Sequence, residues 1–267
     1  MKSKNVCLAM CLLTSCLLQA QVEDDFTDGE LLNNPEWLCD LPLFAVNDDK
    51  QLQLNADGVG EACISTYLSL SQNIEWRCWA RLKFSPSANN NARIYLISDK
   101  QDLKASLNGY YLLLGESGSN DAISLYRQEG DQEMLVCRGT DGLVASSFII
   151  SIRVLFNEGT WKVFADPDGG ENYQLEALCE DNFSWFEGYF GFYCKFTSSN
   201  SKKMLFDNVY AGPEIVDTLP PKIESISVEG NILNIGFSES LDAYSAENPI
   251  NYILQNSMEN PDSVFLN

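Results

Sequence analysis

Between Ile74 and Phe84 every second residue is apolar: Ile74, Trp76, Cys78, Ala80, Leu82 and Phe84 alternate with Glu75, Arg77, Arg81 and Lys83. A period of two over this length predicts a long β-strand with one face in a core. Trp79 breaks the rule, falling on the polar face between Arg77 and Arg81. An indole between two guanidiniums on a sheet surface is either a stacking platform for a ligand or a side chain lying under a neighbouring loop.

The alternation recurs. Phe148, Ile150, Ile152, Val154 and Phe156 form an inward stripe that leaves Ser151 and Arg153 outward. Phe190, Phe192, Cys194 and Phe196 make one face of a later strand, with Tyr189, Tyr193 and Lys195 on the other. Two partly aromatic faces predict that its second face is also covered or binds something. Further strands are predicted at 51–55, 62–70, 92–98, 109–115, 122–128, 133–138, 160–166 and 203–210. Turn residues separate them, as in Asn89-Asn90-Asn91, Ser117-Gly118-Ser119-Asn120, Asn157-Glu158-Gly159 and Asp168-Gly169-Gly170. No segment sustains a 3.6-residue apolar period, apart from a turn near 101–107. About ten strands in this span predict an all-β fold of two packed antiparallel sheets.

The pattern changes after residue 213. Residues 214–221 read as a linker, made stiff by Pro220-Pro221. Short strands are predicted at 223–229 and 231–237 around Gly230-Asn231, then at 252–255. About 50 residues are fewer than a β-sandwich normally needs to bury a core. Residues 222–267 are therefore expected to be the first part of a domain, with further domains downstream.

The N-terminus reads as a secretory signal peptide over residues 1–20. Lys2 and Lys4 precede an apolar run from Val6 to Leu18, and Ala20 offers a small residue for cleavage. The run is too short for a transmembrane segment. Leu13-Thr14-Ser15-Cys16 has lipobox character, which would make Cys16 a lipid anchor. Cleavage after Ala20 is preferred because Leu17 and Leu18 continue the apolar run. The expected location is outside the cytoplasm, secreted or on the outer cell surface.

Composition narrows the chemistry. The chain holds 38 acids against 17 Lys and Arg, for a formal charge of −21, and contains no histidine. Ser-His-Asp triads and histidine-ligated metals are excluded. The charge disfavours nucleic acid and anionic membranes as partners. Six cysteines follow residue 20: Cys39, Cys63, Cys78, Cys137, Cys179 and Cys194. They lack CxxC or zinc-like spacing, and most are expected to be buried free thiols with room for one bridge.

Two resemblances meet here. Asp24-Asp25-Phe26, Asn33-Asn34-Pro35-Glu36-Trp37, Glu75-Trp76-Arg77-Cys78-Trp79, the run from Ala92 to Asp99, Leu107-Asn108-Gly109-Tyr110-Tyr111, Tyr189-Phe190-Gly191-Phe192-Tyr193 and Leu205-Phe206-Asp207-Asn208-Val209 carry the first. Residues 21–213 resemble the concanavalin A-like (laminin-G-like) jelly-roll domains of secreted Bacteroidetes surface proteins. Pro220-Pro221, Gly230-Asn231, Phe237-Ser238-Glu239 and Asn251-Tyr252 resemble the start of an S-layer-type Ig-like domain. The resemblances imply a multidomain exported protein without specifying one ligand, because the superfamily includes lectins, glycosidases, adhesion modules and spacers.

The Glu-x-Asp-x-x-Glu signature of some retaining glycosidases is missing: Glu75 is followed by Arg77, and Asp99 by Gln101 and Asp102. The better candidate is an aromatic–basic set of Arg77, Trp79, Arg81, Arg93, Tyr95 and Tyr193, expected on one broad sheet face. Sugars stack on aromatics and hydrogen-bond to Arg, Asn and Asp. The structural alternative places Trp79 and Tyr95 beneath loops, with the arginines pairing acids. Calcium is a candidate cofactor through Asp166 and Asp168, or through Asp24, Asp25 and Asp207; hairpin chemistry and solvated surface acids are the competing reading. The resulting expectation is a non-catalytic exported module that binds glycan or a cell-surface polymer, with a glycoside hydrolase and a structural spacer as alternatives.

Overall fold

The alternation that starts at Ile74 becomes a strand running Ile74–Leu82, stopping two residues short of Phe84. The computed structural model describes residues 22–70, 73–182, 187–216, 218–239, 241, 243–253 and 260–266. The leader at 1–20, with Cys16, lies outside the described residues, as do Leu254 and Gln255 of the strand expected there. The chain divides into two compact units, the first ending at Ile215 and the second starting at Val216.

The first unit holds the strands β1 (Val22–Asp24), β2 (Leu38–Cys39), β3 (Phe44–Val46), β4 (Leu52–Leu54), β5 (Gly60–Ser69), β6 (Ile74–Leu82), β7 (Asn91–Ser98) and β8 (Leu107–Leu114). They continue as β9 (Ile123–Gly130), β10 (Gln132–Arg138), β11 (Phe148–Asn157), β12 (Thr160–Asp166), β13 (Gln174–Glu180), β14 (Glu187–Phe196) and β15 (Met204–Pro213). One sheet has the order β13-β12-β11-β6-β15-β4-β3, with β1 also pairing β15. The other has the order β10-β9-β8-β7-β14-β5-β2. Each named pairing within them is antiparallel. β1, β2, β3 and β13 were not predicted. The first three are too short to show a period, and β13 (QLEALCE) has an apolar pattern interrupted by acids.

The inner faces of the two sheets make the core. Trp37, Trp76 and Trp161 are buried in it with Phe190, Phe192 and Phe206. Burying side chains of this size contributes about 1.5–3 kcal/mol each. The indole nitrogens are satisfied as well. Trp76 Nε1 donates across the sandwich to the Leu96 carbonyl at 2.8 Å, and Trp161 Nε1 donates to the Asp181 carbonyl at 3.0 Å. Phe192 of one sheet stacks on Phe206 of the other with ring centroids 4.1 Å apart. Gly191, between Phe190 and Phe192, faces away from this core, where a β-carbon would run into the Ile64 carbonyl oxygen of β5.

A disulfide joins Cys137 of β10 to Cys179 of β13, the edge strands of the two sheets. Cys78 and Cys194 carry free thiols, and Cys39 and Cys63 lie side by side with their sulfurs 2.7 Å apart. Cys78 and Cys194 are buried, and desolvation pushes both thiols far above their ordinary range. The expectation is that most of the six are buried free thiols with room for one bridge; the Cys137–Cys179 bridge is present, Cys63, Cys78 and Cys194 are buried, and Cys39 is half-buried.

In the second unit β16 (Ile223–Glu229) and β17 (Ile232–Phe237) form an antiparallel hairpin, followed by a helical turn α1 (Ala243–Ala246) and a 3-10 turn at Pro249–Asn251. The Asn248 side chain caps that turn by accepting from the Ile250 N–H, and Tyr252 donates to the Ala246 carbonyl at 2.6 Å.

Candidate functional site

The outward face of β6 carries Glu75, Arg77, Trp79 and Arg81, and the register sets what lies beside each. Arg77 is opposite Arg153 of β11 and Tyr210 of β15; Trp79 is opposite Ser151 and Asp207. Glu75 is fully buried although its face points away from the core. It accepts from Arg77 Nε, from Arg153 Nε at 2.9 Å and Nη2 at 3.3 Å, and from the Ile215 N–H at 2.9 Å. Burial alone would raise the carboxyl, but the bonds from Arg153, Arg77 and Ile215 outweigh it and hold it below its ordinary value. Arg77, beside Trp79, is thus fixed: it is committed to an internal carboxylate and forms part of a rigid floor.

Above this floor lies a cavity of about 730 Å³. Arg77, Trp79 and Ser151 form its base. One wall is the β12–β13 connection, with Gly169, Gly170, Glu171 and Tyr173; the opposite wall is the segment from Glu23 to Asn34, with Asp24, Asp25, Thr27 and Asp28; Asn208, Val209, Tyr210 and Ile215 complete it. Trp79 is half-buried. The structure therefore answers the question raised by the sequence with both alternatives: a loop covers one edge of the indole, and the ring also borders the cavity.

Local chemistry builds each wall. Asp166 is buried and its carboxylate accepts from the Asp168 N–H at 2.9 Å and the Asn172 N–H at 2.8 Å, folding the Asp-Pro-Asp-Gly-Gly turn around itself. Gly169 has φ of +74°, and a β-carbon there would sit 2.5 Å from Ile149 Cγ2 and 2.8 Å from Trp79 Nε1. Glycine meets both demands, the left-handed backbone and the close approach to the indole. On the other wall Asp24 accepts from the Phe26 N–H at 2.8 Å and from Trp37 Nε1 at 2.7 Å, so a core tryptophan anchors it. Asp25 accepts from the Thr27 N–H at 3.0 Å and its hydroxyl at 2.7 Å.

Among the described residues, neither calcium set, Asp166 with Asp168 or Asp24 with Asp25 and Asp207, belongs to a group of three carboxylates with oxygens within 4.8 Å of one another. Asp24, Asp25 and Asp166 spend carboxylate oxygens on local backbone and side-chain donors, and Asp168 is exposed on the turn. Asp207 comes near the first two: burial raises its carboxyl, the Asn208 N–H opposes this, and Asp25 and Asp24 add to the rise, leaving it at about 6. Among the described residues, the group of three or more potential ligands whose atoms lie within 4.8 Å of one another is instead Cys39, Asp40 and Cys63. Calcium wants several converging oxygens, and these acids do not supply them.

The expectation of a single aromatic–basic face is corrected. Arg77, Trp79 and Arg81 lie on the sheet containing β6, whereas Arg93, Tyr95 and Tyr193 lie on the other sheet. Arg81 does not line the cavity. Tyr95 is 0% exposed and donates to Gln128 Oε1 at 2.8 Å. The Arg93 guanidinium lies 4.6 Å from the Tyr111 ring centroid and 5.2 Å from that of Tyr193, and bonds Glu133 at 2.5 Å. Cys63, Tyr95, Leu103, Leu107, Tyr111 and Tyr193 form a second small core on the outside of this sheet. On the second face of β14, Tyr193 is therefore packed with Leu103 and Leu107, while Tyr189 lies edge-on against Tyr67 of β5. Sequence reasoning missed Tyr173, Glu171, Tyr210 and Asn208, because they join Trp79 only through the unpredicted strand β13 that follows the turn and through the β6–β15 pairing, which a period of two does not reveal.

No protein-family model matches the sequence, and no curated protein sequence is similar to it. Solved structures do match by shape. The carbohydrate recognition domain of Emp47p matches with a TM-score of 0.54 at 12% identity, covering 73% of this chain and 96% of that one. The exoplasmic/lumenal domain of VIP36, in its Ca2+/Man3GlcNAc-bound form, matches with a TM-score of 0.53 at 11% identity, covering 75% and 91%. A mutant form of the carbohydrate recognition domain of Emp46p matches with a TM-score of 0.50 at 9% identity, covering 73% and 97%. No helix among the described residues is long and apolar enough to cross a membrane. With two large antiparallel sheets and these neighbours, the first unit has the concanavalin A-like jelly-roll fold.

Proposed function

We propose that the first unit is a non-catalytic glycan-binding module of an exported protein, and that the cavity over Trp79 receives the sugar. The observation that carries the reading is the half-buried indole at the base of a cavity otherwise lined mainly by groups that hydrogen-bond hydroxyls. Sugars offer an apolar ring face to an aromatic and hydroxyls to carboxylates and amides. Two solved neighbours are described as carbohydrate recognition domains and a third carries Man3GlcNAc, which supports the ligand class.

The cavity's charge selects within that class. Glu23, Asp24, Asp25, Asp28 and Glu171 line it against Arg77, which is paired with Glu75. Uronates and sulfated sugars would meet repulsion; neutral or amine-bearing sugars would not. Hydrolysis draws less support: Asp207, the carboxyl raised to about 6, is not among the cavity's lining residues, and Asp24, which burial also raises and which does line the cavity, has its two oxygens held by Trp37 Nε1 and the Phe26 N–H. Residues 1–20 are read as the export signal, 214–221 as a linker and 222–267 as Ig-like. A glycan array presenting neutral, amine-bearing and uronate-rich glycans to the full chain tests the reading. Binding confined to the first two classes supports it; a blank array leaves the spacer reading in its place.

A further inference from the structure

We propose that Cys39 and Cys63 form a second disulfide, pinning β2 to β5 at the edge of the second sheet. Their sulfurs lie 2.7 Å apart, closer than two unbonded sulfur atoms sit. The backbone already holds the pair in place. The Asp40 N–H donates to the Cys63 carbonyl at 3.0 Å, and the Cys63 N–H donates to Asp40 Oδ2 at 3.0 Å. Cys39 has φ of +83°, a region that residues with a β-carbon rarely adopt, and a covalent tie gives that backbone a reason to persist. β2 has only two residues, at the edge of its sheet, so its ladder alone holds it weakly. The Cys137–Cys179 bridge shows that disulfide chemistry belongs to this fold.

The bridge would bear on the cavity. Trp37, which anchors Asp24 in the cavity wall, directly precedes β2. Pinning Cys39 to β5 fixes the end of the segment that forms that wall.

The same atoms admit a second chemistry, since Asp40 and Cys63 join Cys39 within metal-ligating range. Geometry favours the disulfide. Two thiolates on a tetrahedral zinc with bonds of about 2.3 Å stand about 3.8 Å apart, well beyond the distance seen here. Formation proceeds by exchange with a carrier disulfide, the oxidant class available outside the cytoplasm. Cys39 is half-buried and Cys63 fully buried, so Cys39 meets the carrier. The hydrogen bond from Cys63 lowers the Cys39 thiol while raising Cys63, in keeping with that order. The Cys39 thiolate attacks one carrier sulfur, breaking the carrier S–S bond and releasing one carrier thiolate. The Cys63 thiolate then attacks the Cys39 sulfur of the mixed disulfide and releases the other. The pair gives up two protons and two electrons, which the carrier takes up as two thiols.

The test is peptide mapping by mass spectrometry of the full chain, produced through an oxidising export compartment. The protein is denatured in iodoacetamide without reductant, and zinc is measured on the same sample. The expected result is a Cys39–Cys63 peptide pair beside Cys137–Cys179, with Cys78 and Cys194 alkylated and no stoichiometric zinc. Alkylation of both Cys39 and Cys63, their pairing with other cysteines, or one equivalent of zinc per chain would each overturn the proposal.

Discussion

The backbone of Gly169 lies against the Nε1 edge of Trp79, so closely that a β-carbon at 169 would come within 2.8 Å of the indole nitrogen. The turn after β12 thereby fixes one side of the indole and leaves the ring's other surroundings to the cavity. Gly169→Ala should force either the turn or the indole to move, and the left-handed φ adds about 1–2 kcal/mol. The expected outcome is a lowered melting temperature together with a shift in tryptophan fluorescence. An alanine variant with unchanged melting and emission would show that the turn does not brace Trp79.

Glu75 is the centre of the floor, and removing its charge leaves two arginines without their internal partner. Glu75→Gln should destabilise the protein by about 3 kcal/mol, as breaking a buried ion pair does. Because its folded carboxyl is held below the ordinary 4.5, its contribution is present above that pH and is lost as pH falls through the lower folded value. Urea denaturation at pH 7 and pH 3 should therefore show a large gap between wild type and variant at pH 7 and a smaller one at pH 3.

Asp207 has the opposite sign. Its carboxyl rises from an ordinary 3.8 to about 6, first through burial and then through Asp25 and Asp24. The folded state binds the proton more tightly, so this group costs stability above pH 6 and the cost fades as pH falls toward 3.8. Asp207 is half-buried, and after discounting for solvent screening the cost is about 1 kcal/mol. Asp207→Asn should be more stable than wild type at pH 7 by about that amount and equal to it near pH 4, measured by urea denaturation at each pH.

The Cys137–Cys179 bridge closes a loop with a sequence separation of 42. Chain-entropy arguments give about 4 kcal/mol for a loop of this length, and measured values run lower. The Cys137→Ser, Cys179→Ser double variant should lose about 2–4 kcal/mol in denaturant melts, with the two edge strands losing amide protection first.

The sandwich was legible because burial on one face writes a period of two into a sequence. Phe148–Asn157 and Thr160–Asp166 form at the boundaries their alternation predicts. The candidate site was legible in part, through Trp79 and Arg77 and through Asp24 and Asp25, which were named for a different ligand. Trp79 stood out because it violated the local pattern, and Arg77 came with it. What surrounds them depends on which strands become neighbours, and a period of two carries no information about that. Arg93, Tyr95 and Tyr193 obey the same outward alternation as Trp79, yet they face away from the other side of the sandwich under Leu103 and Leu107. The acids offered for calcium failed for a related reason. Composition shows that carboxylates exist but not that Asp24 is held by Trp37 or that Asp166 closes its own turn.

If Trp79 is the surface on which a sugar stacks, removing its ring should abolish most of the binding. Isothermal titration of wild type and Trp79→Ala with the strongest neutral glycan from the array, alongside their thermal melts, tests it directly. The prediction is a loss of affinity of about tenfold or more, equivalent to about 1.4 kcal/mol, in a variant that still unfolds cooperatively. Equal affinity in a folded Trp79→Ala variant would contradict the account and move the binding surface elsewhere on the sandwich.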